Sequence, residues 1–493
     1  MKYYITTTLP YVNAEPHIGF ALEIIQADVL ARFHRQNGDE VFFNTGTDEH
    51  GLKIYRKAQE LGIDPQKYCD EYAAKFDNLK AALNLSYDNF IRTTDGHHIA
   101  AAQAFWQLCE KNGDIYKKNY QIKYCVGCEL EKTESELAGG KCPIHPNLDL
   151  ELIDEENYFF RFSKYQQSLL KLYSQNKEFV VPEWRQNEIT NFVTAGLEDF
   201  SVSRLKEKMP WGIPVPGDEA QVMYVWFDAL VNYISCLGWP CHCERVNKLG
   251  ADESPDLALC QKDSCNYKKF WPGFQVAGKD NLRQQSAMWQ AMLLSAGLPT
   301  SKQVMIHGFI TAGGQKMSKS LGNVVNPFEL VEKFGTDAVR YYLLAKLPPF
   351  EDGDYTEEKF KESYTADLCN GLGNLVSRVS NLIDKNNLSL KLDTAGDGGM
   401  KESFDQKLSE YKFNEALEIL WTKLRACDEA ITRTEPWKIK DQAELKKVLK
   451  PIAQDILNVA ALLRPFMPTT ADKIIQTFAA EKIVKSEILF PRI

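Results

Sequence analysis

The first 112 residues switch repeatedly between two periodicities, and this constrains the fold more than any other feature of the chain. Strand-like runs at Tyr3 to Leu9, Glu40 to Thr45 and Asn89 to Thr93 alternate with helical runs at Ile18 to Gln36, Leu52 to Leu61, Gln66 to Leu83 and His98 to Asn112. Such alternation predicts a doubly wound α/β sheet with parallel strands. The pattern stops at Asp114. As far as about Gln221 there follow short β-like pieces, a Cys/His cluster, a helix over Lys164 to Lys177 and the proline-rich WGIPVPGD, which together read as an insertion. The alternation resumes at QVMYVWFDALVNYISCLG, FQVAGKDNLRQQSAMWQAMLLSAGLP and KQVMIHGFI. A sheet interrupted and then completed is a split, Rossmann-like nucleotide-binding fold, whose ligand lies at the carboxyl ends of the strands. Beyond Pro327 apolar residues recur at helical spacing to the end, predicting an all-α bundle, with SLKLDTAGDGGMKESF as a loop between helices. The expected divisions are 1–113 and 222–325 for the two halves of the nucleotide-binding domain, 114–221 for the insertion, 326–356 for a linker and 357–493 for the bundle.

With 493 residues the chain is long enough for several domains, and 25% charged against 44% hydrophobic residues is ordinary globular usage. A net charge of -9 argues against a surface coated for nonspecific nucleic-acid binding, while leaving room for a local basic track. No apolar run is long enough to predict a membrane span, and MKYYITTTLPYV lacks the features of a signal peptide, so the expectation is a cytoplasmic protein without membrane association. In that reducing setting twelve cysteines read as metal ligands or buried apolar residues rather than disulfides.

Three places carry chemistry. His17 and Gly19 lie at the start of the first helix, after the turn that follows the first strand, where backbone N–H groups and the helix dipole favour an anion. Lys316 and Lys319 sit among glycines and serines in GGQKMSKSLGN, suited to a triphosphate whose leaving group gains charge. Cys125, Cys128, Cys142 and His145 form C-x2-C and C-x2-H pairs separated by thirteen residues, the spacing of a closed, structural zinc site. Cys241, Cys243, Cys260 and Cys265, with His242 nearby, could close on a second metal or belong to a loop with free thiols.

PHIGF and KMSKS resemble the two signatures of class I aminoacyl-tRNA synthetases. With YVNAEPHIG, GTDEHG, WGIPVP, YVWFDALVNY, GKDNLR and HGFITAGGQKMSKSLGNVV, the chain resembles the methionyl-tRNA synthetase family over nearly its whole length. The resemblance implies methionine activation with ATP and Mg2+, then transfer to the 3′-terminal adenosine of initiator and elongator methionine tRNA. It implies that His17, Gly19, Gly278, Asp280, His307 and Lys319 hold ATP, with His17, Gly19, Lys316 and Lys319 acting in catalysis. Leu9, Tyr11, Asp48, Trp226, Tyr233 and Gln285 would hold L-methionine, whose thioether suits an aromatic cleft. The zinc knuckle would lie near the tRNA acceptor end, and 326–356 would contact the tRNA stem. Asn374 and Arg378, four apart on one helix, and Trp437 in EPWKIK would meet the anticodon, although pattern alone favours a solvated face and a packed Trp. The chain stops soon after the bundle, which points to a monomer.

Three positions depart from the family pattern: Phe20 replaces the second histidine of the first signature, Asn281 an isoleucine and Gln285 a histidine. Two other readings therefore stay open. One is a class I synthetase for another amino acid; the other is a catalytically silent RNA-binding relative.

Overall fold

A computed structural model of the chain describes residues 1–128, 130–132, 136–240, 265–317, 322–393 and 398–493, so Lys319, Cys241, His242, Cys243 and Cys260 lie outside the described residues. The chain divides into two units. The first comprises 1–15, 38–78 and 87–306, and the second 16–37, 79–86 and 307–493.

The first unit is built on a six-stranded sheet of β1 (Lys2–Thr7), β2 (Glu40–Thr47), β3 (Asn89–Arg92), β4 (Val180–Val181), β5 (Phe274–Gly278) and β6 (Gln303–His307), in the order β3-β2-β1-β5-β6-β4. The pairs β1·β2, β1·β5, β2·β3 and β6·β4 are parallel. Tyr3 to Thr7 are all buried, which is why β1 reads as an unbroken apolar and β-branched run rather than an alternating one. Gly46 pairs with Ile91 where β2 meets β3, and a Cβ on it would stand 1.8 Å from the Ile91 carbonyl oxygen, so only glycine fits. Helices Leu52–Leu61 and Gly96–Lys111 follow the sequence expectation closely, whereas the one expected over Gln66 to Leu83 is split into Pro65–Asp77 and Leu79–Ala82. The sixth strand arises within 114–221, where Val180 and Val181 pair with Val304 and Met305 at the sheet's edge. A strand of two residues carries no periodicity to read.

The rest of that stretch forms two antiparallel sheets and two helices, Gln166–Gln175 inside the expected Lys164 to Lys177 and Glu183–Thr194 where none was expected. Ile115–Cys125 lies between Leu130–Lys132 and Glu151–Phe160, with Phe200–Ser201 beyond, and Asp218–Met223 lies between Pro214–Val215 and Ser203–Leu205.

In the second unit the long helix α1 (Ile18–Gln36) belongs with the C-terminal helices. Its Asp28 is fully buried and bonded to Arg32 (2.7 Å), to Arg340 (2.8 Å), and to the Ser86 N–H and hydroxyl (2.7 and 2.6 Å). Arg340, also fully buried, donates further to the carbonyls of Phe466 (2.7 Å), Pro465 (2.8 Å) and Leu83 (3.1 Å). One guanidinium thus ties α1, the 79–86 segment and the turn before the last helix together. Phe413–Thr434 and Gln442–Leu463 bury faces at helical spacing, such as Leu417, Leu420, Trp421 and Leu424. Two elements differ from the sequence expectation. Gly353–Tyr355 is a strand paired in parallel with Ile310–Ala312, and Gly398–Ser409 is a helix within the stretch expected to be a loop. The first is set by its distant partner. The second starts at Gly398, inside the Gly-rich GDGG itself, whose composition hides a helix start.

Candidate active site and metal cluster

The residues expected to hold methionine lie in the first unit. Beyond β1 the chain stays beside β2, with Tyr11 bridged to Asp48, Asp48 N–H donating to the Pro10 carbonyl (3.0 Å) and Val12 N–H to the Asp48 carbonyl (3.3 Å). Asp48 is buried, and Leu9 and Tyr11 are half-buried. Tyr11 and Trp226 pack in one small cluster with Tyr124, Val126, Tyr224 and Val225. Tyr233 is 2% exposed and Gln285 1% exposed, and the Gln285 amide donates to the Tyr233 hydroxyl at 2.7 Å. Gln285 stands in a π-helical turn, Gln284–Met288, a distortion that recurs at functional sites. The turn displaces carbonyls from their helical partners, and side chains satisfy them: Gln290 donates to the Gln285 carbonyl (2.7 Å) and Tyr173 to that of Ser286 (2.6 Å). The structure thus brings Tyr233 to Gln285, Tyr11 to Asp48, and Tyr11 to Trp226. Gly278 ends β5, and Asp280 follows, exposed, at the strand's carboxyl end, where doubly wound sheets present their ligands.

The same unit holds the Cys/His cluster. Cys125 ends the strand Ile115–Cys125, and Cys128 lies in the turn that follows. One donor atom from each of Cys125, Cys128, Cys142 and His145 lies within 4.8 Å of all the others. Cys128 Sγ is 3.2 Å from His145 Nδ1 and 3.4 Å from Cys142 Sγ, too long for an S–S bond and close to the edge of a tetrahedron around zinc. Burial raises the Cys142 thiol, but the backbone N–H groups of His145 and Ile144 and the neighbouring thiols outweigh it and favour the thiolate that a metal requires. Gly127 is needed here, because a Cβ on it would stand 2.6 Å from His145 Cγ. The donor set and its spacing fit zinc. In the second cysteine group only Cys265 lies among the described residues, and it is disulfide-bonded, against the expectation of a metal ligand or a free thiol there.

The second unit carries the two signatures. His17 is the N-cap of α1, its Nδ1 accepting from the Gly19 N–H at 3.0 Å. That bond fixes the tautomer with the proton on Nε2, and burial lowers the pKa of the ring, so it is a neutral donor near pH 7. A Cβ on Gly19 would stand 2.8 Å from His17 Cε1, so the room Gly19 leaves is taken by the imidazole itself. Phe20, at the position of the missing histidine, is buried. His307 is buried and bonded through Nε2 to Glu23 (2.9 Å) and through Nδ1 to the Gly308 carbonyl (2.7 Å). The glycines before the lysine-bearing segment form a tight turn rather than a loose loop. Gly313 and Gly314, with φ of 62° and 75°, join Ile310–Ala312 to Gln315–Lys316, as a hairpin of primed type requires. Lys316 stands exposed on the second strand, its ammonium 5.4 Å from the centre of the Phe309 ring.

The family model described as tRNA synthetases class I (M) matches residues 3–151 and 149–380. A methionine–tRNA ligase from Thermosynechococcus vestitus is 42% identical over 95% of this chain and 88% of its own, and one from Rhizobium meliloti 40% identical over 97% and 92%. The chain belongs to the methionyl-tRNA synthetase family. Among solved structures, the Mycobacterium tuberculosis methionyl-tRNA synthetase in complex with methionyl-adenylate matches with a TM-score of 0.88 and 33% identity, covering 99% of this chain and 98% of that one.

The three residues expected at the anticodon by the methionyl-tRNA synthetase resemblance all lie in the second unit. Asn374 is exposed on helix Asn374–Lys385, and Arg378 on the same helix pairs with Asp428 at 2.7 Å. Trp437 is 53% exposed in the turn Pro436–Lys438, which excludes a packed core role for it.

Several polar residues of the site regions escaped sequence reasoning. Glu49, fully buried, takes a bidentate ion pair from Arg92 (2.7 and 2.8 Å) and hydrogen bonds from Thr47 and Thr94. Asp228 receives His50 and His98. Glu23 holds His307. The visible signals were a carboxylate inside a buried helix face and the adjacent histidines in DGHHIA, but neither names its partner.

Proposed function

We propose that this methionine–tRNA ligase divides its work as its motif residues suggest. In the first step the methionine carboxylate attacks the α-phosphorus of ATP and pyrophosphate leaves. In the second the 2′-hydroxyl of the terminal tRNA adenosine attacks the methionyl carbonyl and AMP leaves. What carries this reading is the likeness, over 99% of the chain, to a protein solved with methionyl-adenylate.

Asp48 would take the substrate ammonium, with Leu9, Tyr11, Trp226 and the Gln285–Tyr233 pair around the thioether. Gln285 in place of histidine is supported by that pair, since an amide donates to the Tyr233 hydroxyl as an imidazole N–H can. Gly278 and Asp280 would meet the adenosine. His17 would offer its Nε2–H to a phosphate oxygen as an uncharged donor, held by Gly19, and His307, held by Glu23, would also meet ATP. Lys316 and Lys319 would neutralise the leaving pyrophosphate, and Mg2+, when bound, would share that charge. No side chain is assigned as a covalent nucleophile; catalysis is positioning and charge stabilisation. Cys125, Cys128, Cys142 and His145 would hold a structural zinc with no open position. Asn374, Arg378 and Trp437 would read unstacked anticodon bases of methionine tRNA. Residues 326–356 would contact the tRNA stem. Among the described residues no helix is long and apolar enough to cross a membrane.

Amino-acid-dependent pyrophosphate exchange with each of the twenty amino acids tests the reading. Exchange with methionine alone is expected; exchange with a different amino acid, or none, refutes it.

A further inference from the structure

Behind the residues proposed to hold methionine lies a buried polar cluster that the two-step reaction does not use. Asp228 is fully buried and accepts from two imidazoles, His50 Nδ1 at 2.7 Å and His98 Nε2 at 2.8 Å. His98 Nδ1 lies 2.9 Å from the Ser235 hydroxyl, and the neighbouring His97 reaches the Ser235 carbonyl at 2.9 Å. His98 is 0% and Ser235 1% exposed. A carboxylate so far from water persists only when charged or strongly polar donors hold it. Here burial pushes its pKa up, and His50 and His98 together outweigh that and keep it ionised.

The chain positions of these groups give the cluster its meaning. His50 follows Asp48 by two residues at the end of β2. Asp228 shares helix Val225–Leu230 with Trp226, and Ser235 shares helix Asn232–Ser235 with Tyr233. His97 and His98 open the helix Gly96–Lys111. The cluster therefore joins the segment bearing the proposed ammonium ligand to both short helices bearing the proposed aromatic walls. Those helices have six and four residues, too few to hold an orientation by their own hydrogen bonds.

We infer that Asp228 is a positioning residue for methionine recognition: through His50 and His98 it fixes Asp48 and the Trp226 and Tyr233 helices at one spacing. This rests on the reading that Asp48, Trp226 and Tyr233 bind methionine. Asp228 touches no substrate and acts only through its two histidines. Its effect falls on methionine rather than on ATP, because none of the groups it holds belongs to the ATP set.

Steady-state pyrophosphate exchange on the full chain tests this. In Asp228→Asn the amide can accept from one imidazole but presents N–H to the other. The KM for methionine is expected to rise at least tenfold, while kcat and the KM for ATP stay within about twofold. Ser235→Ala, which removes only one hydroxyl from the cluster, is expected to raise the methionine KM about threefold and serves if Asp228→Asn does not fold. His98→Gln should raise it as well, and in the double variant Asp228→Asn/His98→Gln the effects should fall short of multiplying, since both changes break one bond. Unchanged methionine KM in folded Asp228→Asn and in Ser235→Ala, or equal rises for ATP and methionine, overturns the inference. Trp226→Ala separates the two ideas. If it raises the methionine KM while the cluster variants do not, only the positioning role fails; if it too leaves the KM unchanged, the pocket reading fails and the inference with it.

Discussion

Replacing Arg340 by methionine should unfasten the second unit. The substitution keeps most of the side-chain volume, so the loss is electrostatic rather than a cavity. Three backbone carbonyls, of Leu83, Pro465 and Phe466, lose their donor, and Asp28 loses one of its two arginines. Removing one partner of a buried ion pair costs about 3–5 kcal/mol, and each carbonyl left without a donor adds about 1–3 kcal/mol. Asp28 retains Arg32 and both bonds from Ser86, which argues for the lower end of the sum, about 6 kcal/mol. At about 2–4 °C per kcal/mol for a unit of this size, the unfolding midpoint should fall by about 12 °C or more. Because a chain of two units need not unfold in one step, the melt should be joined to hydrogen exchange of peptides from Ile18–Gln36 and Gln442–Leu463. Both should lose protection in Arg340→Met, and a midpoint within about 2 °C of the parent with unchanged exchange would refute the reasoning. The pH dependence follows with its sign. Burial pushes the Asp28 carboxyl up, but Arg340, Arg32 and Ser86 outweigh it and hold it below its usual value of 3.8. Its stabilisation is thus present above that value and is lost as pH falls through the lower folded value. With Arg340 gone the folded value rises, so the variant should weaken at a higher pH than the parent.

Three further outcomes are expected. His17→Ala should slow methionine-dependent pyrophosphate exchange by roughly 10²–10³-fold with little change in methionine binding, and equal losses in both would remove His17 from the phosphate site. Gly127→Ala should lower the bound zinc from one ion at the Cys125–His145 cluster toward none under reducing conditions, since its Cβ meets the His145 ring at 2.6 Å; full zinc retention by metal analysis would refute the packing argument. Trp437→Ala should reduce charging of methionine tRNA with exchange and melting temperature near parental values, because the ring is already half in solvent, and a parallel collapse of exchange would make it a structural residue.

The sequence alone determined the features whose causes are local. The periodicity of Ile18–Gln36 and the β-branched run of Lys2–Thr7 fix their states by which face they bury, and both elements match expectation within two residues at each end. The C-x2-C and C-x2-H pairs announce their cluster because tight turns present the donors of each pair together. His17 and Gly19 are legible as a strand-to-helix junction, but not that the imidazole would cap its own helix and fill the space beneath Gly19. Only the tertiary structure decided what depends on distant partners. Val180–Val181 and Gly353–Tyr355 are strands because β6 and Ile310–Ala312 offer them hydrogen bonds. The His50–Asp228–His98 cluster unites residues up to 178 positions apart, and Arg340 reaches Asp28, 340 − 28 = 312 positions away. A buried charge must find donors or opposite charges somewhere, so its type predicts that partners exist, while only the packing of the chain chooses which ones.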